Sequence, residues 1–128
     1  NAEDIDDSMK IDITGEKIAI TLCAKSFANY KMLAGIPTML PVLHSILIVP
    51  TLIYTFETLK KEGVNEFEDL RWYNSVVKTL QKNGFTLDEE LLDITPSYEL
   101  AQKSLDMPID RALDSLISQD VTDEEEYL

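Results

Sequence analysis

The sequence predicts an α+β fold, predominantly α: an N-terminal β-hairpin over about 9–22, followed by five or six helices packed around a central apolar helix over about 39–62. Three observations carry this reading. Residues 9–22, MKIDITGEKIAITL, alternate apolar and polar side chains on both sides of Gly15-Glu16. Residues 32–56, MLAGIPTMLPVLHSILIVPTLIYTF, contain no charged side chain. Beyond them, apolar residues recur at helical spacing in short segments punctuated by Gly, Pro and capping residues.

A Gly-X pair between alternating runs marks a two-residue type II′ hairpin turn. Pairing across it sets Thr14 opposite Lys17, Ile13 opposite Ile18, Ile11 opposite Ile20 and Met9 opposite Leu22. The apolar pairs then share one face, while Asp12–Ala19 and Lys10–Thr21 take the other. A slip of one residue would scramble that sorting, so pattern and turn specify the same register. Two strands alone are marginal in water and leave open edges, which calls for helices, further strands or a second copy.

A short helix is expected from Ala24 to Leu33, with Phe27, Tyr30 and Leu33 inward and Gly35-Ile36-Pro37 as its stop. Thr38 is placed to cap the central helix, with Pro41 in its first turn, where amides have no intrahelical partner. Lys60, Lys61 and Gly63 close it, Gly63 at the left-handed position after the helix. Pro50 removes one backbone bond in its interior and is expected to kink or split it.

Glu66 to Lys82 reads as an amphipathic helix with Phe67, Leu70, Tyr73, Val77 and Leu80 on one stripe, ended by Asn83-Gly84. Thr86 and Glu89 match a capping box before Leu91 and Leu92. Thr95-Pro96 opens a further helix covering Leu100, Ala101 and Leu105. The last helix follows Pro108, with Ile109, Ala112, Leu113, Leu116 and Ile117 as its inward stripe.

The chain of 128 residues carries a net charge of −13, concentrated at its ends. Residues 1–7 hold four acids and residues 120–128 five; the remaining fifteen acids face eleven bases. The organisation expected is therefore an acidic, disordered start over 1–8, one globular domain over 9–119 and an acidic tail over 120–128. Asn1-Ala2 resembles the remnant of a cleaved tag, so the domain is expected to be an excised C-terminal part of a longer protein. The scattered bases argue against nucleic acid as a partner, since phosphate binding needs clustered Lys and Arg. The single Cys23 and the lack of a signal-peptide pattern point to a reducing, cytoplasmic setting.

For chemistry the candidates are few. His44 is the only histidine, and its simpler reading is a half-buried imidazole bonded to a backbone carbonyl or to Ser45. Cys23 falls on the polar side of its strand. No metal-binding spacing of His and Cys occurs. Asp4, Asp6, Asp7 and Asp12 lack the glycine and closing Glu of a calcium loop. Asp88, Glu89 and Glu90 suit a helix start. Arg71 and Trp72, with His44, form the candidate interaction surface, although Trp72 also fits the edge of a core. Prolines and polar residues within 32–56, of which only Leu40 to Phe56 is densely apolar, argue against a membrane span.

The reading that follows is a non-enzymatic structural or protein–protein interaction module without cofactors. Its partner is expected to be protein: a second copy, meeting through the hairpin or the central helix, or the remainder of its own chain. The alternative is a small-molecule-binding or catalytic domain with a pocket near His44, Tyr54 and Trp72, and a third reading is membrane association through 32–56.

Overall fold

A computed structural model of the chain describes residues 2–3, 9–105 and 108–127. Strands β2 (Met9–Asp12) and β3 (Ala19–Cys23) form the expected antiparallel hairpin, in the register Met9↔Leu22, Lys10↔Thr21, Ile11↔Ile20 and Asp12↔Ala19. A short strand β1 (Ala2–Glu3) joins β3 in parallel and gives the sheet order β1-β3-β2. The start of the chain thus covers part of the outer edge of β3. Most of the acidic start expected to be disordered lies outside the described residues.

The turn differs from expectation. The ladder ends at Asp12↔Ala19, and Gly15 does not take the positive φ of a type II′ turn, which among the described residues belongs to Gly63 and Gly84. Residues 13–18 instead form an open loop. Asp12 Oδ1 accepts from the Thr14 amide at 2.9 Å and from its hydroxyl at 2.6 Å. These bonds, the hydroxyl first, hold the Asp12 carboxyl below its ordinary pKa. The loop opens because it docks on a helix far along the chain.

That helix is α3 (Arg71–Lys82). Its preceding residue, Leu70, cannot cap it with a side chain, so the loop supplies the acceptors. Glu16 Oε2 accepts from the Arg71 amide at 3.0 Å, the Glu16 carbonyl from the Trp72 amide at 3.1 Å, and the Ile13 carbonyl from Trp72 Nε1 at 2.9 Å. A carboxylate at this end also complements the helix dipole. The helix was expected to begin near Glu66; residues 65–70 are turns, in which Val64 O accepts from the Phe67 and Glu68 amides.

Helix α1 (Ala24–Ala34) follows β3 directly. A 3₁₀ turn over Pro37–Met39 then leads into α2 (Leu40–Glu62). Met39, not Thr38, stands at the cap position, without a side-chain bond. Helix α2 is continuous across Pro50. Pro50 and Ile46, whose carbonyl loses its helical partner, lie on an exposed face where water can supply the missing bond. The buried threonines of α2 are satisfied within the helix: Thr51 Oγ1 donates to Leu47 O and Thr55 Oγ1 to Thr51 O. Gly63 closes α2: its amide makes the last helical bond, to Leu59 O at 2.9 Å, and its φ of 84°, which glycine adopts without strain, turns the chain out of the helix.

Helices α4 (Glu89–Ile94), α5 (Ser97–Ser104) and α6 (Pro108–Tyr127) complete the chain. The cap of α4 is Asp88, whose Oδ1 accepts from the Leu91 amide at 2.8 Å, two residues beyond the Thr86 expected. Thr95 ends α4 rather than opening α5, and its carbonyl accepts from Lys60 Nζ at 2.7 Å. Ser97 Oγ donates to Glu57 Oε1 at 2.8 Å, fastening α5 to α2. The backbone of α6 continues to Tyr127, through most of the segment expected to be a tail.

Candidate interaction face

Helix α2 has two unlike halves. Around its C-terminal half, Leu52, Phe56 and Leu59 join Ile13, Phe67, Trp72, Tyr73, Leu80, Leu92, Leu100 and Ala101 in one buried cluster. Trp72 packs between Phe67 and Tyr73, with ring centroids 5.8 and 6.0 Å away. Burial, and secondly the Glu68 carboxylate, raise the Tyr73 pKa. In the N-terminal half Leu43 and Val49 are buried but lie outside that cluster.

The elements around this second half leave large apolar side chains in water. They are Met32 (76% exposed) and Leu33 on α1, Ile36 before the 3₁₀ turn, Leu40 and Ile46 (59%) on α2, and Ile109, Leu113 (55%), Leu116 and Ile117 on α6. Helices α1, α2 and α6 and the 3₁₀ turn are packing neighbours. These nine residues therefore belong to one end of the molecule. The other exposed large apolar residues, Tyr54, Ile94 and Tyr98, sit on the C-terminal half of α2 and on α4 and α5.

Two stripes expected to face inward do so only in part: of the α6 stripe Ala112 alone is buried, and of the α1 stripe no member is fully buried. Helix α6 meets α2 and the 3₁₀ turn through Pro108 and Ala112, which are buried, and Ser115, whose hydroxyl donates to Thr38 O at 2.6 Å. These small residues follow i, i+4, i+7 spacing and define the packed face. Ile109, Leu113, Leu116 and Ile117 are consequently turned outward. On α1 no side chain is fully buried: Phe27 and Tyr30 are half-buried, and Leu33 is exposed. The apolar spacing was legible in both helices, but not the direction in which it points.

Between the hairpin, α1 and α2 lies an open groove of about 380 Å³. Met9 and Leu22 line it from the sheet, Tyr30 and Leu33 from α1, and Leu43, Ile46 and Leu47 from α2; Ser26 and Asn29 are its polar members. Its apolar lining was expected to be core, which holds for the buried Leu22 and Leu43 but not for the exposed Leu33 and Ile46.

The three candidate surface residues do not form a common site. Trp72 is 6% exposed and its indole donates to Ile13 O, so it belongs to the core. Arg71 is exposed, beside an open cavity lined by Glu16, Lys17, Ile18, Trp72, Ser75 and Val76. His44 is absent from that lining. It is exposed rather than half-buried, because Leu43 and Leu47 occupy the inward positions of its turn.

No protein-family model, curated protein or solved structure matches the chain. Residues 37–62 are long and apolar enough to cross a membrane by length and composition, with 33% of the most apolar window buried. Among the described residues, no group of three His, Cys, Asp or Glu side chains is placed to hold a metal.

Cys23 ends β3 and precedes the first residue of α1. Its Sγ donates to Ser26 Oγ at 3.2 Å. The Ser26 hydroxyl, then the Ser26 amide, stabilise the thiolate and lower its pKa against a small opposing effect of burial. Alkylation by iodoacetamide is expected to have its pH midpoint below that of a free cysteine. Ser26→Ala should move the midpoint upward, which a rate–pH profile of the two proteins checks.

Proposed function

We propose that this chain is a non-enzymatic interaction module. The C-terminal half of α2 and its surroundings are the scaffold, and the open end formed by α1, the N-terminal half of α2 and α6 is the docking surface. The supporting observation is the outward apolar stripe of α6 together with the exposed Met32 on α1 and Leu40 and Ile46 on α2, the helix against which both α1 and α6 pack. Large apolar side chains exposed in this number on neighbouring elements mark a site of association. A pocket shared by His44 and Trp72 has no such support, since one side chain is exposed and the other buried in the cluster.

The test combines light-scattering mass with binding of an apolar fluorescent dye, such as anilinonaphthalene sulfonate, to the folded protein. The expected result is dye binding by single chains, or an assembly that hides the face. In the first case Ile46→Glu with Leu113→Glu suppresses the dye signal. A single-chain species that is cooperatively folded and binds no dye would overturn this reading.

A further inference from the structure

We infer that the occupant of this open end is a second copy of the same chain, related by a two-fold axis. The inference rests on the interaction-module reading and adds the partner. Two observations single out the copy.

The first is charge. Two copies of a chain of net charge −13 repel each other, and the repulsion opposes pairing least where the contact carries few acids. The open end is built largely from such a region, since no charged residue occurs from 32 to 56. At the border of the α6 stripe, Asp110 and Asp114 flank Arg111, which gives the rim both signs. An acidic protein that selected a basic partner would place carboxylates on the docking face, and this face withholds them.

The second is area. Taking about 200 Å² for a fully exposed Leu, Ile or Met, the nine exposed side chains present on the order of 900 Å². A stable protein–protein interface uses about 800 Å² from each partner. The exposed apolar surface at this end is thus comparable in amount to what each partner of a dimer buries.

Sedimentation velocity over a dilution series tests the pairing, with Ile46→Glu and Leu113→Glu as probes. Both side chains are more than half exposed, so neither change disturbs the core, and a cooperative melt by circular dichroism verifies folding. Across a two-fold axis each new carboxylate is buried twice. The wild type should sediment as two chains at tens of micromolar. Either variant should weaken association by about a hundredfold or more, whereas Lys78→Glu, at an exposed position of α3, leaves the dimer intact. A single-chain wild type that binds the dye overturns the second copy and retains the interaction module. A single-chain wild type that binds no dye overturns both. A dimer indifferent to both variants overturns the placement of the interface. Flotation of the wild type with neutral phosphatidylcholine vesicles, lost in the variants, assigns the face to lipid and also overturns the pairing.

Discussion

Replacing Phe56 with alanine lowers the unfolding free energy by about 3–5 kcal/mol, the range for a buried aromatic truncated in a close-packed core. Phe56 is 0% exposed and lies on α2 within the cluster that α3, α4 and α5 cover. The surrounding side chains come from several elements and cannot all move into the space, so a cavity remains. For a domain whose total stability falls within about 5–15 kcal/mol, this is a large fraction. The melting temperature should drop by on the order of 10–20 °C. Tyr54→Ala, two residues away but 48% exposed, should change stability by less than about 1 kcal/mol. Urea denaturation of the three proteins checks both values, and equal losses in the two variants would refute the division of α2 into faces.

Trp72→Ala is expected to cost a similar amount, about 3–5 kcal/mol, and Trp72→Phe separates its two contributions. Phenylalanine keeps a ring against Phe67 and Tyr73 but removes the indole donor, leaving the Ile13 carbonyl without its partner. An unsatisfied buried acceptor costs about 1–3 kcal/mol. Glu16→Ala, which removes the carboxylate from the Arg71 amide, should cost about 0.5–2 kcal/mol, as the loss of a helix cap does. Both changes loosen the same attachment of the hairpin loop to α3. Their effects should therefore be non-additive in a double-mutant cycle. Hydrogen exchange supplies an independent measure, because the amides of β2 and β3 should lose protection together in Trp72→Phe. Retained protection would mean that the sheet does not depend on α3.

These residues also show where reading the chain succeeds and where it stops. The hairpin register followed from alternation centred on Gly15-Glu16: a slip of one residue would turn Met9, Ile11, Ile20 and Leu22 to opposite faces, and the centre of the two runs fixes which pairs meet. The loop at its tip did not, because its acceptors serve Arg71 and Trp72, 55 to 59 residues away. A Gly-X pair states what a turn can do locally, and a bond to a distant helix overrides it. The start of α3 was misplaced for the same reason, since the acceptors at that end come from the loop rather than from a neighbouring residue.

The candidate site was less legible than the fold. Trp72 and Arg71 stand next to each other in sequence, yet α3 buries one and exposes the other. The stripe of α6 was visible as Ile109, Ala112, Leu113, Leu116 and Ile117, of which only Ala112 is buried, and an amphipathic pattern does not say whether its apolar face meets the core or a partner. The small residues Pro108, Ala112 and Ser115, which could approach α2 closely, decided that the larger members of the stripe face outward.

By itself the sequence determined the elements whose causes are local. Period-two alternation set the hairpin, the uncharged run set the central helix, and left-handed glycines at 63 and 84 set the ends of α2 and α3. Tertiary structure alone decided that Glu16 serves as a remote cap, that Trp72 is core, and that α2 is enclosed at one end and open at the other. The physical reason is that dihedral preference and side-chain spacing act within a few residues, whereas burial depends on which surfaces meet. At the open end, among the described residues, large apolar side chains of α1, α2 and α6 stay exposed because the surfaces that meet there are those of smaller residues.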